Sequence, residues 1–524
     1  MRRSRLKRLR VAAALAFLVS TSLLFLDFRE VGAVRLADAV VYLQFVPSLL
    51  DFLDNAALAA AGCLAVLLVT LLFGRVYCST VCPFGTLQDA ISRATGRRRS
   101  GFALTKPHNM LRYTLLTLTV LLFLVGSGLL VNLLDPFSNF GRILSNLARP
   151  ALIAVNNALA PMFEAFGSHA VYRVRWPVIA PASIAAATTM LLLAGWLSAR
   201  HGRLYCNTIC PVGALLGLVS KLSPVRIRFE ADMCRECGRC ERVCKAACID
   251  FKQKQVDVSR CVSCYNCLSA CPDNVLHLRT ASTPKARTGN KASGRRKFII
   301  ALATGGLGLA ATGVEAALPP GFVPSRPTTI PENRTGPASP PGSMSIAHFT
   351  AKCTACHLCV SACPSRVLVP SVLDYGPSGI MQPKMGFASA HCNYDCTICS
   401  QICPSGAILP LTKKQKHRTQ IGKAHFIKKN CVVYTDETNC GACSEHCPTK
   451  AVRMVPYENA KGRKLVIPEV NRKICVGCGG CEHACPTRPY RAIFVDGNPV
   501  HQRAEKPVIK KLKPAPHLEE DFPF

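Results

Sequence analysis

The chain's capacity for chemistry lies in its 30 cysteines, most of which fall in six runs of four. Cys234, Cys237, Cys240 and Cys244 are followed by Cys261, Cys264, Cys267 and Cys271-Pro272. Three closely spaced cysteines let one loop wrap three corners of a cube while backbone N–H groups face the sulfurs. In the bacterial two-cluster pattern each fourth cysteine crosses to the other cluster. The expected sets are therefore Cys234, Cys237, Cys240 and Cys271 for one [4Fe-4S] cluster, and Cys261, Cys264, Cys267 and Cys244 for the other. Lys245 stands where a proline usually follows, and Cys248 comes soon after. Cys248 reads as a spare buried thiol, with substitution as a ligand the alternative.

Four more runs lie downstream: Cys353, Cys356, Cys359, Cys363-Pro364; Cys392, Cys396, Cys399, Cys403-Pro404; Cys431, Cys440, Cys443, Cys447-Pro448; and Cys475, Cys478, Cys481, Cys485-Pro486. The total is about six [4Fe-4S] clusters. A nested exchange of fourth ligands is expected, outer run with outer and inner with inner. A disulfide scaffold would be short and irregularly spaced, and zinc favours two separated cysteine pairs, so both are set aside. Cys353-Thr354-Ala355-Cys356-His357 matches a haem-attachment pattern, but its cysteines already open a complete run, which leaves His357 a chance neighbour.

The other cysteines include a repeat. Gly74-Arg75-Val76-Tyr77-Cys78-Ser79-Thr80-Val81-Cys82-Pro83-Phe84-Gly85 is answered by Gly202-Arg203-Leu204-Tyr205-Cys206-Asn207-Thr208-Ile209-Cys210-Pro211-Val212-Gly213. Such repeats suggest two pseudo-symmetric halves. Cys78, Cys82, Cys206 and Cys210 are a candidate metal or redox set at the membrane surface, against structural thiols as the plainer alternative. Cys63 reads as packing. His108, His201, Tyr77, Tyr205 and Asp135 lie near predicted membrane edges as candidates for quinone protons, although each alone is more often structural. No nucleotide-binding glycine loop, flavin signature or hydrolase triad stands out, so no catalytic residue is assigned.

These residues need elements to position them. Apolar stretches near 11–26, 56–73, 114–131 and 178–197 approach the roughly 20 helical residues that cross a bilayer. Arg2, Arg3, Arg5, Lys7, Arg8 and Arg10 precede the first. Arg75, Arg93, Arg97, Arg98, Arg99 and Lys106 follow the second. Both groups are cytoplasmic by the positive-inside rule, while the loop at 27–55 is acidic. The segment 140–166, interrupted by Asn156, Asn157 and Pro161, is expected to lie along the outer surface. Gly294-Arg295-Arg296-Lys297-Phe298-Ile299-Ile300 opens a Gly/Ala-rich apolar run ending near Ala317, which resembles an internal twin-arginine signal; an ordinary fifth helix is the alternative.

The expected fold class is an α-helical membrane domain, four spans plus a signal-like fifth, with α+β bacterial-ferredoxin-like cluster domains. Its parts are a membrane domain at 1–220, a two-cluster ferredoxin domain at 221–280, a linker at 281–345, a four-cluster domain at 346–500 and a tail at 501–524. Lys and Arg number 64 against 30 Asp and Glu, a formal charge of +34. Each cluster offsets about two of those charges, and much of the rest flanks apolar runs, so no nucleic-acid partner is expected.

The first 280 residues, with paired YC-x-T-x-CP-x-G motifs and a trailing two-cluster ferredoxin, resemble the NapH family of membrane quinol dehydrogenase subunits. From Gly294 to about 500 the chain is similar to the NapG and MauM exported four-cluster ferredoxins, including the CPSGAI stretch at 403–408 and the wide Cys431–Cys440 gap. The two together look like a fusion of subunits that elsewhere are partners. The resemblance implies a multi-pass protein of the bacterial cytoplasmic (inner) membrane that relays electrons between the quinone pool and a periplasmic redox partner. The first ferredoxin domain would then be cytoplasmic, open to a cytoplasmic donor, and the last domain periplasmic. The C-x3-C-x2-C-x3-C spacing at 392–403 departs from the nitrate-reductase subunit, so nitrate reduction is not implied. The alternatives are an accessory reductant for metalloenzyme assembly or reactivation, and an all-cytoplasmic membrane-anchored relay.

Overall fold

The structure, a computed structural model, describes residues 2–26, 39–55, 61–96, 101–102, 107–176, 180–230, 233–280, 327–459 and 461–506. The expected twin-arginine-like segment and most of the expected tail lie outside them. Each apolar stretch carries a helix: α1 (Arg2–Leu26), α2 (Gly62–Phe73), α4 (Asn109–Leu124) and α7 (Pro181–His201), with α3 (Pro83–Ala94) and α5 (Pro136–Ile143) among those between. By length and composition, Arg5–Leu26 and Pro181–His201 are candidate membrane spans; α2 and α4 are shorter. The third expected span is not one helix. The chain breaks after Leu124 at Gly126, whose φ of 87° is left-handed, and restarts at Leu129.

The outward faces of these helices are apolar. Leu9, Leu15, Val19 and Leu23 on α1, Leu64 and Leu68 on α2, and Leu118 and Leu121 on α4 are exposed, whereas Arg75, Arg112, Arg142 and Arg203 are buried between helices. A water-facing helix would show the reverse pattern. The segment 136–165 is helical throughout: α5, a π turn at Leu144–Ala148, then α6 (Arg149–Ala165), which contains Pro161. Asn156 and Asn157 reach the backbone of Tyr172 and Val174.

The two cysteine repeats fold alike. A helix stops at Gly74 or Gly202, whose φ of 74° or 64° turns the chain back, and a short helical turn follows. Cys82 or Cys210 then stands in extended conformation as N-cap, and Pro83 or Pro211 opens α3 or α8 (Pro211–Ser220). Proline suits that first position because its missing N–H is not needed there.

In the first ferredoxin domain β1 (Val225–Phe229) pairs antiparallel with β4 (Leu276–Thr280), and β2 (Ile249–Asp250) with β3 (Gln255–Val256). The distal domain pairs β5 (Leu368–Pro370) with β6 (Pro383–Met385), β7 (Thr419–Phe426) with β10 (Ile493–Arg503), and β8 (Val452–Glu458) with β9 (Lys464–Val470). Two boundaries differ from expectation. Residues 327–345 form an extended strap on the distal domain: Thr328 bonds Tyr490, Arg334 bonds Glu482, and Thr335 bonds Asp496. Strand β10 runs on to Arg503 because its far end pairs with Thr419 and Gln420.

The ferredoxin domains sit at opposite ends of α1. Lys7 donates to Ser269 of the first domain, whereas Leu24 and Phe25 pack with Phe137, Cys356, Leu358 and Ile402. From Arg10 to Phe25 a helix rises about 22 Å at ~1.5 Å per residue.

Candidate iron–sulfur and redox site

The cysteine repeats meet crosswise. Arg75 donates to the Cys206 carbonyl (3.0 Å) and to the Asn207 side chain (2.7 Å), and Arg203 donates to the Cys78 carbonyl. Each arginine thus pins the opposite repeat. Cys78, Cys82, Cys206 and Cys210 are all buried, and each of the last three lies within electrostatic reach of others in the set. Gln88 Nε2 reaches Cys206 Sγ at 3.3 Å, and the Gly213 N–H reaches Cys210 Sγ at 3.3 Å. A Cβ on Gly213 would sit 2.1 Å from the Cys206 carbonyl oxygen, so only glycine lets the turn close. Asp89 balances the guanidiniums: Arg203 grips it bidentately (2.9 and 2.8 Å) and Lys245 binds it at 2.8 Å. These cations hold its carboxyl well below the usual range despite burial. In sequence Arg75 reads as a topology charge and Arg203 carries no assigned role. Their matched places in the repeat were the signal for a paired function.

On one side the set adjoins the first ferredoxin domain. The Ser259 carbonyl, two residues before Cys261, accepts from Arg75 (3.1 Å) and Arg112 (2.9 Å). Cys240 lies within electrostatic reach of Cys234 and Cys271, and Cys267 of Cys264, Cys261, Cys244 and Cys240. Cys248 is buried, 3.5 Å from Cys244 Sγ, and also bonds Cys261, which places this thiol beside the expected ligand set. His108 and His201 flank a small cavity with Asn207 and Arg260 on this side. Cys63 is packed within α2, its N–H on Ser48.

On the other side a chain of polar contacts leads to the distal domain. Tyr205 donates to the Leu134 carbonyl and meets Asn139, Asn139 accepts from Arg142, and Asn146 donates to the Arg142 carbonyl and to His357 Nδ1 (3.1 Å). His357 Nε2 bonds the Met381 carbonyl at 2.8 Å. Both ring nitrogens are engaged, so His357 is a docking residue between domains, not a chance neighbour. Burial pushes its pKa down to about 4. Asp135 caps α5 through Ser138. Burial raises the Tyr77, Tyr205 and Asp135 pKa values, which keeps the phenols protonated as donors. The sequence candidates thus divide, with the tyrosines and Asp135 toward the distal domain and the two histidines toward the first ferredoxin domain.

The distal cysteines group by neighbouring runs. Cys403 lies with Cys353, Cys356 and Cys359, and Cys363 with Cys392, Cys396 and Cys399. Cys485 lies with Cys431, Cys440 and Cys443, and Cys447 with Cys475, Cys478 and Cys481. The nested exchange is therefore corrected to exchange between adjacent runs. Backbone N–H groups of Ala355, Leu358 and Gly480 reach Cys353, Cys356 and Cys478, as an anionic cluster requires. Among the described residues no three His, Cys, Asp or Glu side chains close on a single-ion position. Sets of four thiols with backbone N–H groups aimed at them are of the chemical type that holds a [4Fe-4S] cluster.

Comparison with known proteins bears on the same residues. The model described as "4Fe-4S binding domain" matches residues 56–102 and 182–230, the two repeats. A second 4Fe-4S binding domain model matches 254–277, and a 4Fe-4S dicluster domain matches 438–488, which spans most of the last two runs. The chain is a ferredoxin-type iron–sulfur protein. Among relatives of this ferredoxin-type protein, the putative electron transport protein YccM of Escherichia coli is 27% identical over 48% of this chain and 62% of its own length. The methylamine utilization ferredoxin-type protein MauM of Methylophilus methylotrophus is 33% identical over 26% of this chain and 61% of its own. The ferredoxin-type protein NapH of Haemophilus influenzae is 26% identical over 44% and 70%. The chain thus spans about three-fifths of the first two relatives. No solved structure matches.

Proposed function

We propose that this protein is a membrane-spanning relay that carries electrons between the quinone pool and a redox partner on the far face, by way of the paired cysteine repeats. The observation that carries the reading is the position of Cys78, Cys82, Cys206 and Cys210 between the Cys261 loop, held by Arg75, and the Cys356 loop, reached through Arg142 and His357. [4Fe-4S] clusters at the six ferredoxin-type cysteine sets, and a further metal centre at the repeats, supply one-electron transfer when bound. The chain's own part is to order these sets along α1 and to exclude water from the repeats with buried arginines. Outward apolar helix faces and the kinship with NapH support a seat in the inner membrane, with the two cluster domains on opposite sides. The quinone is assigned to the neighbourhood of Tyr77, Tyr205 and Asp135, and the periplasmic acceptor to the far end of the distal domain.

Anaerobic purification with iron and sulfide quantification, followed by EPR during stepwise reduction with a quinol analogue and then dithionite, tests this. Six cubanes account for about 24 irons and a seventh at the repeats for about 28. C78S/C206S is expected to leave both ferredoxin-type signals in place and to abolish electron exchange between the clusters of the first ferredoxin domain and the distal clusters. Full iron content with no quinol-reducible signal in the wild type would sink the relay and leave the assembly-reductant reading. A topology reporter after Phe524 that is active only in the cytoplasm would overturn the two-sided arrangement.

A further inference from the structure

A cavity of about 170 Å³ lies where the start of α1, the helix α3 and the first ferredoxin domain converge. It is lined by five cations, Lys7, Arg10, Arg93, Arg242 and Lys245, and Asp89 is the single acid among the described lining residues. Asp89 is already shared by Arg10 (3.7 Å), Arg203 and Lys245 (2.8 Å each), while Lys7 donates to Ser269 (3.4 Å) and Arg242 to the Cys237 carbonyl (3.4 Å). Arg10 is only 7% exposed, and its Nε has no hydrogen-bond partner. Leaving a guanidinium N–H unmatched in a buried place is unfavourable, and like charges gathered around one cavity repel each other, although Arg93 and Arg242 stand exposed at its rim. An anion in the cavity offsets this repulsion and offers acceptors to the lining cations. A single water needs only about 10–15 Å³ of such space, so the volume takes a polyatomic anion. Val11 and Phe102 give one wall an apolar surface.

We infer that this cavity is a binding site for a phosphate-bearing anion, with the headgroup of an acidic phospholipid such as phosphatidylglycerol, or free phosphate, as its source. The site joins three separate parts of the chain: Arg10 on α1, Asp89 and Arg93 on α3, and Arg242 and Lys245 beside Cys244. A bound anion therefore ties the first ferredoxin domain to the helical region at the level where α1 begins. The lipid source rests on the membrane reading proposed above; the anion site itself does not.

The test uses the full chain with its clusters, delipidated in detergent. Native mass spectrometry measures binding of phosphatidylglycerol against phosphatidylcholine, and equilibrium dialysis measures inorganic phosphate. Wild type is expected to prefer phosphatidylglycerol about tenfold, and K7Q/R93Q to lose that preference with iron content unchanged, while the distal control K413Q keeps it. Phosphate binding without a lipid preference, again lost in K7Q/R93Q, supports the site and assigns it to a soluble anion. Should K7Q/R93Q fail to fold, R242Q on the ferredoxin side serves in its place. No lipid preference and no phosphate binding in wild type, or either one unaltered in the folded variant, overturns the inference. Failure of quinol reduction leaves this readout untouched, so the two proposals fail separately.

Discussion

A guanidinium with no water around it must find its acceptors inside the protein, and Arg203 finds three: both oxygens of Asp89 and the Cys78 carbonyl. Removing one member of a buried pair costs about 3–5 kcal/mol because the other charge is stranded. Here Arg10 and Lys245 remain beside Asp89, so R203M is expected near the lower end of that range. It should appear as a lowered melting temperature in detergent, and D89N/R203M should recover part of the loss, as coupled neighbours do. Equal melting of R203M and wild type would show that the crosswise pinning is not structural. The cysteines were legible because cluster ligation leaves a rigid spacing in the sequence. The arginines were not, since Arg75 reads like any other loop cation until the fold buries it against the other repeat.

At the scale of elements, β10 and the 327–345 strap meet at His501, whose Nε2 lies 2.8 Å from Ser339 Oγ. Burial pushes its pKa down to about 4 from the usual 6.5. Between those values the unfolded chain binds the proton and the fold does not, so stability rises with pH across the window and is fully present above ~6.5. The shift corresponds to a loss on the order of 2–3 kcal/mol as pH falls toward 4. Hydrogen exchange in 493–503 should therefore quicken between pH 7 and 5 beyond its intrinsic pH dependence, and H501Q should flatten the excess. An unchanged profile in H501Q would remove His501 as the cause. In sequence this strap reads only as part of a linker, because proline- and serine-rich sequence looks alike whether it hangs loose or lies along a strand. The third apolar stretch misled for a related reason: hydropathy continues through Gly126-Ser127-Gly128, but the helical backbone does not.

For the whole molecule, the decisive contact is where the distal domain meets α5. Gly141 has no room for a side chain: a Cβ would stand 2.4 Å from the Cys356 carbonyl oxygen and 2.6 Å from the Phe25 ring. Ser145 and Ser361 bond across the same seam at 2.8 Å. G141A is expected to part the domains, raising exchange in 353–361 at least tenfold while 475–485 stays protected. Equal exchange at both would mean that the domains are joined elsewhere. Cluster domains on opposite faces were expected from the basic flanks and the twin-arginine-like segment. The seam was not, because Gly141, Asn146 and His357 carry no spacing that marks them in sequence.

The exchange of fourth cysteines between neighbouring runs also sets an order of assembly. Residues 353–403 contain both halves of one pair of sets, and 431–485 contain both halves of the next. Each pair can close on contacts local in the chain, which form faster than distant ones. Iron can thus be taken up by the first pair while the second is still being synthesised. A nested arrangement would have left Cys353, Cys356 and Cys359 waiting for Cys485 with their thiols open to oxidation.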